Sequence, residues 1–320
     1  MERRKLLKTL AGVGLTSLVA PAGSILNNLA YAAQEGARSG ATAQAAGQGA
    51  QTASNALPDM AIAKGMEPAE LVEAAMKAMG GMGRFVSKGD KVLVKPNIGW
   101  DRTPEQAANT NPMVVRTIVD QCFKAGAKDV LVIDFTCNQA RRCYTRSGIK
   151  DAAEEAGADV SYINERKFKE MNVGGEVLSK WPIYTDIVEA DKLINVPIAK
   201  HHTLARLSLS MKNWLGAIGG KRNALHQKID ESCVDLSMFF KPTLTILDAV
   251  RILKANGPQG GNLKDVEKID TLAVGMDEVA IDSFGASLFG LEPEDIGYVK
   301  IGAERGYGQS DLSKVNVVTV

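Results

Sequence analysis

The chain has 320 residues, 45% hydrophobic and 23% charged, with a formal charge of +1 and four cysteines. That is globular composition with room for a large core. Of 38 basic and 37 acidic side chains, four and one lie in residues 1–32, leaving 34 against 36 beyond them. A near-neutral remainder disfavours generic electrostatic binding to nucleic acid or anionic membrane.

The N-terminus reads as an address. Residues 1–32 hold paired arginines (Arg3, Arg4), an apolar Ala/Gly-rich stretch and "AYA" at Ala30–Ala32, a small-x-small cleavage site. The order Arg3-Arg4-Lys5-Leu6-Leu7-Lys8 resembles the twin-arginine export signal. Pro21 and Asn27-Asn28 cut the apolar run short of a membrane span. The expectation is recognition by the twin-arginine translocation machinery, cleavage after Ala32 and a periplasmic or otherwise exported protein without a stable membrane span. The resemblance also implies a chain that folds before export, often around a metal or other cofactor. Residues 33–57 are Ala, Gly, Gln, Ser and Thr with almost no large apolar side chain, the composition of a flexible linker.

Residues 58–320 alternate strands with helices. "MAIAK" is a strand, Pro68–Met82 a helix with proline near its first turn, and "KVLVKPN" (Lys91–Asn97) an apolar strand. "NPMVVRTIVDQCFKAGAK" sets Val115, Ile118, Val119, Cys122 and Phe123 on one helical face. "DVLVIDF", "SGIKDAAEEAGA" and "ADVSYI" continue as strand, helix and strand. "GGEVLSKWPIYTDI" reads as a hairpin, a small lobe over Gly174–Asp186. "KLINVPI", "LTILDAV", "DTLAVGM" and "VNVVTV" are further strands, with helices at "EVAIDSFGASLFG" and "YVKIGAERG". Near-continuous apolar strands between amphipathic helices predict an α/β fold, a mostly parallel sheet with helices on both faces.

In such sheets ligands bind at the C-terminal ends of strands, near a switch in strand order. Lys95-Pro96-Asn97, Asp134, Lys200-His201-His202 and Asp248 each follow an apolar run, although such residues also cap strands and helices. Asp134, Lys200, His202 and Asp248 are the catalytic candidates. Lys95, Asn97, Lys212 and Asn213 are candidates for binding a small anionic ligand, as are Asn256 and Gly257 in the "NGPQGG" turn. "GAIGGKRN" could hold an anion on its amides with Lys221 and Arg222, but it is not a Walker A loop. No G-x-G-x-x-G follows a strand, which argues against an ordinary dinucleotide enzyme.

All three histidines, His201, His202 and His226, fall in one segment. His202 and His226 could ligate a metal, or one could act as a base; neither H-x3-H nor H-E-x-x-H is present. Cys122 and Cys233 sit on apolar helical faces as core residues. Cys137 and Cys143 flank "NQARR" beside the expected ligand edge, and could form a disulfide, supply thiolates to a metal or remain free thiols. Asp277 and Asp282 are expected to cap and brace a helix.

"VLVKPNIGW", "TNPMVVRTIVDQCFKAGAKDVLVID", "SGIKDAAEEAGA", "KLINVPIAKHHTLARLSLSMKNWLG", "PTLTILDAVRILKANGPQGG" and "AVGMDEVAIDSFGASLFG" together resemble the successive blocks of the domain of unknown function family 362, over roughly residues 58–310. The resemblance places Lys200, His202, Lys212, Asn213 and Gly216 on family positions, with Ile198 and His201 where lysine and threonine are usual. Many relatives carry ferredoxin-type iron–sulfur segments, and this chain lacks their cysteine run. A remote likeness to the nickel-dependent lactate racemase group concerns architecture, which does not establish function. The functional expectation is an exported enzyme acting on a small anionic substrate with a metal or other cofactor; the alternative is a non-catalytic periplasmic binding or cofactor-carrier protein.

Overall fold

A computed structural model describes residues 57–320. The export signal and all of the linker but Leu57 lie outside the described residues. In chain order the strands are β1 (Met60–Lys64), β2 (Lys91–Pro96), β3 (Asp129–Val132), β4 (Asp159–Val160), β5 (Phe168–Asn172), β6 (Lys180–Tyr184), β7 (Lys192–Val196), β8 (Ile198–His202), β9 (Arg206–Ser208), β10 (Leu244–Leu253), β11 (Val266–Gly275) and β12 (Val317–Thr319). The α-helices are α1 (Pro68–Ala78), α2 (Pro112–Lys124), α3 (Ala140–Arg146), α4 (Ile149–Glu155), α5 (Thr185–Glu189), α6 (Ser210–Asn213), α7 (Ile229–Phe240), α8 (Glu278–Ser287) and α9 (Gly297–Glu304).

The main sheet runs β12-β1-β11-β10-β7-β2-β3-β4. Pairing is parallel from β10 through β7, β2 and β3 to β4, and antiparallel where β11 meets β10 and β1. Its strands are apolar on both faces because both are covered. Val92, Val94, Ile194 and Val196 pack on one side against α1 and α2 residues such as Leu71, Val72, Val115 and Ile118. On the other side Leu93 and Leu193 meet Trp214, Leu236 and Phe240, while Leu247 and Ala273 meet Val279, Ile281 and Val299. Each fully buried aliphatic or aromatic side chain contributes roughly 1.5–3 kcal/mol. The helix boundaries follow local chemistry. Asn111 caps α2 by accepting the Met113 N–H at 2.9 Å, with Pro112 next, and Asp277 caps α8 through the Val279 and Ala280 N–H groups.

The hairpin is displaced from its sequence assignment. Its first strand is β5, residues 173–179 form the connection, and Thr185 already begins α5. Phe168, Ile183 and Tyr184 pack into the same core as Leu193 and Trp214, so the hairpin is joined to the main body rather than standing off as a lobe. Asp235 holds its turn, accepting the N–H groups of Glu176, Val177 and Leu178.

Two features make a crevice. From β2 the chain steps outward to β3 and β4, then returns to the other side of β2 as β7, so strand order switches between β2 and β7. At Pro197 the chain then leaves β2's neighbourhood, and β8 pairs with β10 and β9 instead. Proline has no N–H for a ladder, so the break falls there. The C-terminal ends of β2 and β7 are left facing an opening.

Candidate functional site

A cavity of about 390 Å³ lies at this opening. Its walls include Asn97, Asp134, Cys137, Lys200, His202, Lys212, Asn213, Arg222 and His226, together with Trp100, Leu204 and Pro258. Residues from five separate stretches of chain meet here. Asn97, Asp134, Lys200 and His202, four of the eight residues that strand-end reasoning selected, are among them.

The floor is an ion pair. Lys95 Nζ donates to Asp134 Oδ1 at 2.6 Å and to the Pro96 carbonyl at 3.0 Å, and the Ile98 N–H donates to Asp134 Oδ2 at 2.7 Å. Burial pushes the Lys95 pKa down, opposed by Asp134. Tyr144 fixes the backbone here, its hydroxyl accepting from the Asp134 N–H and donating to the Asp134 carbonyl. Gly216 lies over the pair so closely that a Cβ would collide with the Asp134 carboxylate and the Lys95 ammonium, so a side chain there would displace the floor. Asp134 has both oxygens committed and holds Lys95 in place.

Above the floor is a layer of amides. Asn97 Nδ2 donates to Asn213 Oδ1 at 3.1 Å, and Asn213 Nδ2 donates to the Lys95 carbonyl and to Asn195 Oδ1 at 2.8 Å. Asn195 Nδ2 donates in turn to Glu278 Oε1 at 2.8 Å and to the Ser210 carbonyl. Glu278 also accepts from Trp214 Nε1 and the Tyr307 hydroxyl. Asp282 accepts the N–H groups of Ser210 and Met211, bracing the start of α6. Burial lifts Glu278 to about 8 and Asp282 to about 7. Asn195 and Glu278 were missed by sequence reasoning. The available signal was a polar residue inside an apolar strand, "KLINVPI", and a carboxylate opening the mainly apolar segment "EVAIDSFGASLFG".

Two lysines face the cavity without an acid. Lys200, only 1% exposed, donates to Asn97 Oδ1 at 3.0 Å and to the Ala108 carbonyl at 2.6 Å, both neutral acceptors. Burial first, with Lys212 and Lys95 adding repulsion, lowers its pKa to about 7. Lys212 is 8% exposed, and its ammonium has no hydrogen-bond or ion-pair partner among the described residues. Burial pushes its pKa down as well, and Asp230 acts on it only at a distance. Asp134 is the single carboxylate in the wall, and Lys95 already neutralises it.

His202 is held in one tautomer. Its Nδ1 accepts the N–H groups of Leu204 at 3.1 Å and Ala205 at 3.2 Å, which puts the ring proton on Nε2. Burial and the charges of Lys212 and Lys200 lower its pKa to about 3. His226 stacks beside it at 5.9 Å between ring centroids, with Nδ1 3.2 Å from the Asn223 carbonyl.

The expected metal ligands do not form a ligand set. A protonated Nε2 offers His202 no lone pair outward, and nowhere do three His, Cys, Asp or Glu side chains come together among the described residues. Cys137 and Cys143 are free thiols: Cys137 is exposed in the cavity wall, and Cys143 is buried with Sγ 3.7 Å from the Gly99 carbonyl. Burial lifts the Cys143 thiol to about 11, away from the thiolate form. Cys122 and Cys233 are buried in the core.

Four other candidates sit apart from the lining. Asp248 is inside β10, because that strand runs on to Leu253 through an irregularity after Ala249. Its carboxylate accepts the N–H groups of Asn111 at 2.7 Å and Val250 at 3.0 Å, and burial lifts its pKa to about 6. Lys221 is exposed, outside the wall. Arg222 does line it, but its guanidinium donates to the carbonyls of Phe135, Leu215 and Thr136 and covers the Phe135 ring at 3.8 Å. In the "NGPQGG" turn Asn256 donates to Asp265, the Gly257 N–H donates to His201 Nδ1, and Pro258 is the residue that reaches the cavity. A Cβ on Gly257 would strike the His201 carbonyl, so the close approach requires glycine.

The fold and cavity define an α/β protein with a lysine-rich site at a strand-order switch. Residues 92–287, more than half of the chain, match the family described as domain of unknown function (DUF362), and the chain belongs to that family. It is 26% identical over 229 residues to the thylakoid-associated protein sll1697 of Synechocystis sp. (strain ATCC 27184 / PCC 6803 / Kazusa), covering 69% of this chain and 70% of that one. Among solved structures, the lactate racemase apoprotein from Thermoanaerobacterium thermosaccharolyticum is similar at 12% identity and a TM-score of 0.44, over 71% of this chain. The chain spans 56% of the length of that structure.

Proposed function

We propose that this protein is an exported enzyme that binds a small anionic substrate in the cavity at the C-terminal ends of β2, β7 and β8. One observation carries the reading: Lys212, a largely buried side chain, brings its ammonium to the cavity wall with no partner among the described residues, although a largely desolvated charge is costly unless paired. A carboxylate or phosphate oxygen would supply that partner, and Lys200 lies along the same wall. The walls contain no counter-charge that could play this part, because Asp134 is committed to Lys95. Leu204, Leu215, Trp100 and Pro258 give the remaining surface an apolar character suited to a small organic anion. The second reading, a binding or carrier protein, rests on the same charge arrangement without turnover.

Calorimetric titration of the folded domain with oxalate, phosphate, pyruvate and glyoxylate tests the binding claim. Saturable binding of at least one, weakened about tenfold or more by Lys212→Met, is expected from loss of a charge-assisted contact. Equal affinity in the variant, or no binding of any anion, would overturn it. A bound ligand recovered unchanged after prolonged incubation favours the carrier reading. Export is tested separately by cell fractionation. Replacing Arg3 and Arg4 with lysine should retain the full chain in the cytoplasm.

A further inference from the structure

We infer that Lys200 is a nucleophilic amine that condenses with the carbonyl carbon of a small 2-oxo acid whose carboxylate rests against Lys212. This rests on the anion-binding reading above and gives its ligand a chemical class.

Three geometric facts support it. First, both acceptors of Lys200, Asn97 Oδ1 and the Ala108 carbonyl, are neutral. A neutral amine has two N–H groups, which these acceptors take up, leaving the lone pair as its remaining valence. Lys95, by contrast, is anchored on a carboxylate as an ammonium. Second, His202 presents a fixed Nε2–H donor, since two backbone N–H groups occupy Nδ1. A neutral imidazole N–H can polarise a carbonyl oxygen without giving up its proton. Third, Lys212 is a bare cation in the same wall. Amine, carbonyl-oxygen donor and carboxylate partner are the three recognition elements a 2-oxo acid requires.

The pKa of Lys200, about 7, adds to this geometry. Half of such an amine is unprotonated at neutral pH, against fewer than about one in a thousand for an ordinary lysine. The titratable groups around it are Lys95 of β2, Asp134, Cys137, Lys212 of α6 and His202 of β8.

In the reaction the Nζ lone pair forms a bond to the carbonyl carbon and the C=O π pair moves to oxygen. A proton passes from nitrogen to that oxygen, giving a carbinolamine. A proton from solvent lets that oxygen leave as water as nitrogen forms C=N, so neutral amine, carbonyl and one proton yield the protonated imine and water with no change of oxidation state. The protonated imine keeps one N–H for Asn97 or Ala108.

The test treats the purified full chain with glyoxylate or pyruvate and sodium cyanoborohydride, which delivers hydride to the imine and fixes it as a secondary amine. Intact mass and peptide mapping are then read. The expected result is one adduct per chain at Lys200, with a rate that saturates in ligand and rises to half its maximum near pH 7. Lys212→Met should slow it about tenfold at low ligand, and Lys200→Met should abolish it while thermal unfolding reports that the variant folds. The peptide map of the unmutated protein stands even if a variant does not. Labelling spread over surface lysines, or acetaldehyde labelling Lys200 as fast as glyoxylate, overturns the inference. Calorimetric binding of pyruvate without any adduct overturns the imine and leaves anion binding intact; absence of both overturns both.

Discussion

The buried layer beneath the cavity and the cavity wall handle polar groups in opposite ways. Beneath the cavity, Glu278 and Asp282 are fully enclosed, and each takes donors from several directions: Asn195, Trp214 and Tyr307 for one, Ser210 and Met211 for the other. In the wall a few residues away, Lys200 has only neutral acceptors and Lys212 has none among the described residues. The acids of the buried layer are satisfied, while in a hollow large enough for a small molecule Lys200 meets no acid and Lys212 has no partner among the described residues. A cation left unpaired at the wall of a hollow points to an interaction completed from outside.

That contrast can be broken by substitution, beginning with the greatest effect. Lys95→Met would leave the Asp134 carboxylate buried without its cation, and should lower unfolding free energy by about 3–5 kcal/mol in denaturant titrations. Lys200 sets the next effect through pH. Its folded pKa, about 7, lies below the ordinary lysine value, so the unfolded chain holds the proton more tightly between those values. Stability should therefore rise with pH from about 7 towards 10 and be lost as pH falls through 7. The difference between wild type and Lys200→Met should change by about 3–4 kcal/mol over that window. Glu278→Leu strands the Trp214 N–H and one Asn195 N–H, for a loss of about 2 kcal/mol by thermal unfolding. Lys212→Met should go the other way. With no partner to strand, it should leave the free protein unchanged or more stable by about 1 kcal/mol while weakening anion binding. A loss of stability there would show that the ammonium has a structural task.

Much of this was legible in the sequence where one-dimensional pattern maps directly onto local structure. Alternation and apolar runs located β2, β3, β7, β10 and β11, and the apolar face of Val115, Ile118, Val119, Cys122 and Phe123 located α2. Strand-end reasoning brought out Lys95, Asn97, Asp134 and Lys200, since a polar residue after an apolar run marks where a strand meets an opening. The same reasoning misplaced Asp248: "LTILDAV" contains no sign that the strand continues through an irregularity to Leu253. The histidine cluster suggested a metal, but which nitrogen bears the proton depends on backbone amides of Leu204 and Ala205, which no side-chain pattern encodes. Asn195 and Glu278 escaped because these two bonded residues lie 83 residues apart in the chain.

Asp248 has a consequence of its own. Its carboxylate fastens Asn111 to the interior of β10, while Asn97 and Thr110 bind one another across the other end of the same loop, by Asn97 N–H to Thr110 Oγ1 and Thr110 N–H to the Asn97 carbonyl. Residues 97–111 are thereby cinched into a closed ring, and Ala108, whose carbonyl receives Lys200, is a link of that ring. A ring tied to the centre of the sheet cannot flex independently of it. The amine is aimed before any ligand arrives, and little ordering entropy remains to be lost on binding.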